Sequence, residues 1–174
     1  MIRALPLSLV LLTLAMPSSA QTELPAEGTW RYVGDAGQNE ARVQAIDEAL
    51  AEVPRIFRGG VRGKLLTRTE PAATVVIERR GDEVFFSGRE NRQVTLAIDG
   101  TPKTVRGYEG PETLRAWISD RDGRLRMHGA NREEGSARVI TYDPHGDEMT
   151  IFVHITSERL EKDIDYRLSY RRVE

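Results

Sequence analysis

The chain has no cysteine. Disulfide staples, thiolate metal ligands and cysteine nucleophiles are excluded, so stability must come from apolar burial. It also lacks an excess of one charge: 25 basic residues face 27 acidic ones, a net charge of −2. That balance argues against a general nucleic-acid binder. Histidine is rare. His128, His145 and His154 are the only three, and no two stand at helical ligand spacing, so no metal site is expected. There is no Gly-x-Ser-x-Gly segment and no recognisable Ser-His-Asp set. Beyond residue 20 no run is apolar enough to span a membrane.

What is present begins with a leader. Arg3 supplies a positive start, Leu5 to Met16 is apolar apart from Pro6, Ser8 and Thr13, and Pro17-Ser18-Ser19-Ala20 follows. This pattern predicts a secretory signal peptide over residues 1–20, cut after Ala20. With no cysteine after it, a lipid anchor is excluded. Removing those twenty residues from 174 leaves 154, enough for a single domain over 21–174. A cysteine-free exported chain points to a bacterial periplasm, or more broadly to secretion.

Gly28 to Val33 reads as a first strand. From Asn39 to Phe57, Val43, Ile46, Leu50, Val53 and Phe57 recur at three- and four-residue steps, which predicts one amphipathic helix near 39–57. Asn39 is the expected N-cap, Pro54 a kink or early end, and Gly59-Gly60 the exit, with residues 61–73 crossing the surface. From Thr74 to Arg171 the pattern changes to short alternating segments divided by turns such as Asp99-Gly100 and Asp120-Arg121-Asp122-Gly123. Met149, Ile151, Val153 and Ile155 share one face of their strand, and Ile164, Tyr166, Leu168 and Tyr170 one face of the last. The spacing predicts sequential antiparallel pairing, and the shared apolar face must be hidden by closure or stacking. The fold class expected is all-β with one N-terminal helix, an up-and-down antiparallel meander closing into a barrel.

Four stretches carry two family resemblances. Gly28-Thr29-Trp30, opening the first strand before a meander, resembles the lipocalin or calycin layout. The helix end Val53-Pro54-Arg55-Ile56-Phe57-Arg58, and the ending Ile155-Thr156-Ser157-Glu158-Arg159-Leu160 with Tyr166-Arg167-Leu168-Ser169-Tyr170-Arg171-Arg172, resemble a group of uncharacterised exported bacterial proteins with no assigned activity. The calycin resemblance implies a closed antiparallel barrel, and a late arginine, Arg171 or Arg172, stacked on Trp30. In lipocalins the helix usually follows the barrel; here it comes early.

Other features are weaker. Asp120 to Gly123 lacks the later oxygen ligands of a calcium loop. Gly59-Gly60-Val61-Arg62-Gly63-Lys64 lacks the order of a phosphate loop. Arg115, Arg124, Arg126, Arg138, Arg167, Arg171 and Arg172 are expected on outward faces in cross-strand ion pairs, with contact to an anionic surface as the functional alternative. Trp117 is expected in the core. The leading expectation is a non-enzymatic, cofactor-free exported protein that binds a small apolar or amphipathic ligand inside the barrel, lined by Trp30, Phe86, Met127, Ile151, Val153 and Tyr166. The alternative is an envelope interaction or assembly-support protein with a packed barrel core.

Overall fold

The computed structural model describes residues 23–89, 92–107 and 110–173. The expected signal peptide lies outside them. Strand β1 (Gly28–Tyr32) is followed by helices α1 (Ala36–Ala49) and α2 (Arg55–Thr69). Nine strands then complete the chain: β2 (Thr74–Arg80), β3 (Glu83–Ser87), β4 (Gln93–Ala97), β5 (Lys103–Arg106), β6 (Pro111–Ile118), β7 (Leu125–Asn131), β8 (Ser136–His145), β9 (Glu148–Ser157) and β10 (Ile164–Arg172). The strand order is β4-β3-β2-β1-β10-β9-β8-β7-β6-β5. Because β1 pairs antiparallel with both β2 and β10, the first and last strands meet and the meander wraps into a nearly closed barrel. The expected calycin-like barrel is what the chain forms.

One seam interrupts the ring. The Asp99-Gly100 turn, a hairpin signal in the sequence, does not zip β4 to β5. Asp99 instead bridges to Trp117 on β6, and the Gly100 amide donates to the Ala116 carbonyl at 2.8 Å. Gly100 adopts φ 87°, a left-handed conformation glycine tolerates at no steric cost. That detour carries β5 away from β4. Lys103 reaches back across the seam, its Nζ donating to the Thr95 carbonyl at 3.0 Å, and so masks part of an unpaired strand edge.

Period-two alternation places one apolar face of each strand inside. Trp30, Ile77, Val84, Leu96, Ala116, Leu125 and Met149 are almost wholly buried in one shared core. At roughly 1.5–3 kcal/mol for each large apolar side chain removed from water, this layer dominates the stability. Trp30 closes one end. Its indole Nε1 donates to the Ala26 carbonyl at 2.8 Å, Leu24 and Ala26 are buried against it, and the Arg172 guanidinium lies 4.4 Å from its ring centroid. The expected arginine–tryptophan stack is therefore present, made by Arg172. A contact of this kind contributes on the order of 0.5–1 kcal/mol.

The helical segment differs from expectation. Among the described residues there are two helices, separated at Leu50–Pro54, rather than one over 39–57. Pro54 lacks an amide donor and disfavours a helical residue before it; it sits at the N-cap position of α2. Residues 61–73 do not simply cross the surface: α2 runs through Gly59 and Gly60 to Thr69. The N-cap of α1 is Asp35, which accepts from the Gln38 amide at 2.9 Å. Asn39 instead accepts from Arg42 at 2.8 Å. Ile46, Ala49 and Leu50 pack with Ile164 in a second, smaller cluster that Val61, Leu65 and Leu66 of α2 also join.

Three of the seven arginines form outward ion pairs: Arg124 with Asp143 at 2.8 Å, Arg171 with Glu148 at 3.6 Å, and Arg126 with Asp122 of the turn before its own strand at 2.7 Å. Arg172 covers Trp30 instead, and Arg138 is a second exception. It shares the parity of Ile140 and Tyr142 on β8 and faces inward. Trp117 is also reassigned. Its neighbours Leu114 and Ala116 fill the core, so Trp117 lies half-buried on the outer face, with Arg115 5.4 Å from its ring centroid.

Candidate ligand cavity

The interior is not filled. A cavity of about 1020 Å³ opens between the barrel walls and α2. Phe86, Met127, Ile151, Val153 and Tyr166 all lie on its wall. Trp30 does not, because it is spent on plugging the opposite end. The alternation that buries an apolar face in every strand also lines the space, so the first five residues could be picked from strand parity. No local signal marks which large residue plugs an end and which lines a void.

Aromatic rings build the floor. Phe86 and Tyr142 stack at 5.6 Å between centroids, and Tyr32 meets Tyr170 edge-on at 5.4 Å. Tyr170 donates its hydroxyl to the Ala72 carbonyl at 3.0 Å. Burial raises the ionisation of Tyr142 and Tyr170 well above the ordinary phenol range. Tyr166 is pushed up to about 12 by burial, opposed by the positive charges of Arg42 and Arg138. The phenols are therefore neutral donors at physiological pH, suited to a hydrogen bond rather than to proton abstraction.

The rim is charged. Arg138 on β8 pairs with Glu112 on β6 at 2.9 Å, across the intervening strand β7. The residue between them on β7 is Gly129, paired in register with Leu114 and Arg138. A Cβ there would sit 2.5 Å from Glu112 Oε1 and 3.1 Å from Arg138 Nε. The missing side chain is what lets the two charges meet. Glu134 holds Arg68 of α2 at 3.1 Å, and Glu70 holds Arg89 at 3.6 Å. Among the described lining residues seven are basic (Lys64 and six arginines) and three are acidic. The rim is thus locally cationic in a chain whose net charge is negative.

Helix α2 forms the cover. Val53, just before it, and Phe57, Val61, Leu65 and Arg68 within it face the cavity. The spacing of Val61 and Leu65 is a helical signal, obscured in the sequence by the glycines around it. Two clamps hold the helices. Gln38 donates to Ser169 Oγ at 2.7 Å and accepts from the Ser169 amide at 2.9 Å, continuing the β10 ladder past the end of β1. Buried Arg42 donates to the Leu66 carbonyl at 3.1 Å and to Thr69 Oγ1 at 2.7 Å. A cation at these last carbonyls complements the helix dipole.

His145 lies beside Asp143 at 3.3 Å, and His154 lies between Asp165 at 2.8 Å and Asp163 at 3.7 Å. Among the described residues no group of three or more His, Asp or Glu side chains could hold a metal ion, and no helix is long and apolar enough to cross a membrane.

No protein-family model and no curated protein sequence matches the chain. Solved structures do. A secretory abundant heat soluble protein from Ramazzottius varieornatus aligns over 85 % of this chain and 95 % of its own, with 11 % identity and a TM-score of 0.57. Fatty-acid-binding protein 1 of Echinococcus granulosus aligns over 86 % and 98 %, with 12 % identity and a TM-score of 0.52. The fatty acid binding protein of Schistosoma mansoni, in complex with arachidonic acid, aligns over 85 % and 96 %, with 16 % identity and a TM-score of 0.51. At these identities the likeness is one of fold: the chain has a calycin-like barrel of the kind those proteins share.

Proposed function

We propose that this protein is a non-enzymatic binder of a small apolar or amphipathic molecule, held inside the barrel. The observation that carries this is the cavity itself, about 1020 Å³, at the upper end of the range in which small-molecule sites bury most of their ligand. Its walls are aliphatic and aromatic, its donors are neutral phenols, and its charges are gathered at the rim. An apolar body with a polar end matches that gradient. Two of the similar structures are fatty-acid-binding proteins, one of them holding arachidonic acid, which supports a lipid-like ligand on fold-level analogy. The alternative of an interaction protein built on a packed core loses its premise, because the interior is open.

The compartment belongs to the same proposal. The leader over residues 1–20 supports export and cleavage after Ala20, and the absence of cysteine suits a periplasm. Native mass spectrometry of protein purified gently from the exported fraction, beside an organic extraction, tests the reading. A single bound species that also appears in the extract is expected. A chain that remains at its bare mass after purification, and after incubation with long-chain amphiphiles, contradicts it.

A further inference from the structure

Helix α2 has a surface that the cavity does not explain. It carries Arg55, Arg58, Arg62, Lys64 and Arg68 and no acidic residue. At its start Ile56 is 84 % exposed and Phe57 61 %, the two most exposed large hydrophobic side chains among the described residues. They are adjacent, they have cations on both sides in Arg55 and Arg58, and Phe57 also touches the cavity. The acids near this helix are largely committed. Asp47 is held by Arg62 at 2.5 Å, Glu134 by Arg68 and Glu70 by Arg89; Glu52 is the exposed acid beside the tip. Arg106 at the end of β5 and Arg159 in the turn after β9 also line the cavity.

We propose that the N-terminal half of α2 docks on an anionic phospholipid bilayer. Ile56 and Phe57 enter the boundary between headgroups and acyl chains, and the flanking arginines meet the phosphates. A basic helix with an apolar tip is the composition that binds such an interface, and each cation near an anionic surface adds attraction within a Debye length. A second copy of the chain fits this face poorly. Two identical cationic helices repel, and two side chains cover far less than the ~1,200–2,000 Å² of a stable interface. The face is open and its tip is fixed: a Cβ on Gly59, Gly60 or Gly63 would meet nothing within 4 Å, and Arg58 ties the start of α2 to the Ala51 and Val53 carbonyls at 2.6 and 3.0 Å. The docking does not require an occupied cavity, so it goes beyond the ligand-binding reading.

Vesicle flotation tests it, using the chain from Gln21 onward, which keeps every described element. Vesicles of phosphatidylcholine alone are compared with vesicles containing about one-third phosphatidylglycerol, at ionic strengths of about 0.01 M and about 1 M, where the Debye length falls from 30 to 3 Å. Flotation with the anionic vesicles at low salt, lost at high salt, is expected. The double variant Ile56→Ser, Phe57→Ser should reduce partitioning about tenfold or more at an unchanged melting temperature, and Arg55→Glu should also weaken it. No flotation at low salt, equal binding to neutral vesicles, or binding indifferent to Ile56→Ser, Phe57→Ser overturns the proposal. So does a dimer, seen by sedimentation velocity, that this double variant disperses.

Discussion

At the scale of single residues, small decisions determine whether the interior is wall, plug or void. Gly129 is the clearest. Its absent side chain is the space in which Glu112 and Arg138 pair across β7. Gly129→Ala should force those side chains and Leu114 apart. An overpacked core position costs ~1–3 kcal/mol, and urea denaturation of Gly129→Ala against the parent should read a loss of that order. An unchanged midpoint would show that the pair adjusts freely. None of this was legible in the sequence, where Gly129 is one glycine among fifteen and Arg138 one of several arginines. Parity assigns Arg138 to a face only once the register of β8 is known. Trp30 is the opposite case: the calycin resemblance of its Gly-Thr-Trp strand implied a late arginine, Arg171 or Arg172, stacked on its ring, and Arg172 is the one that does so.

At the scale of elements, the strands followed from alternation and turns. The pairing of β8, β9 and β10 coincides closely with what their spacing requires, because a half-buried strand has little freedom in which side chains it hides. The helices were less legible. Glycine at three positions of α2 reads locally as a stop, yet Val61 and Leu65 hold the helix to its neighbours through tertiary contact. Propensity was overridden by packing there. The same fact gives a prediction. Gly59→Ala, Gly60→Ala and Gly63→Ala meet no steric obstacle, and each should stabilise α2 by ~0.5–1 kcal/mol. Hydrogen exchange should show added protection confined to α2. Loss of protection, or none gained, would mean that these glycines serve a contact the helix makes when it opens.

At the scale of the whole molecule, closure follows from β1 pairing with both the second and the last strand. The cavity follows from the same closure: ten strands surround more space than their inward side chains fill, and α2 covers it. The sequence could specify an inward face but not the ring's diameter, which depends on how far β5 is carried from β4 by the detour at Asp99-Gly100. That is why five of the six expected lining residues border the cavity while its volume could not be anticipated. Titration of the chain with the amphipathic fluorophore anilinonaphthalene sulfonate, followed by emission, tests the open interior most directly. The account predicts saturation at one probe per chain, and affinity reduced about tenfold or more in Met127→Trp, which fills the space from the wall. Absence of saturable binding, or binding that Met127→Trp leaves untouched, would contradict it.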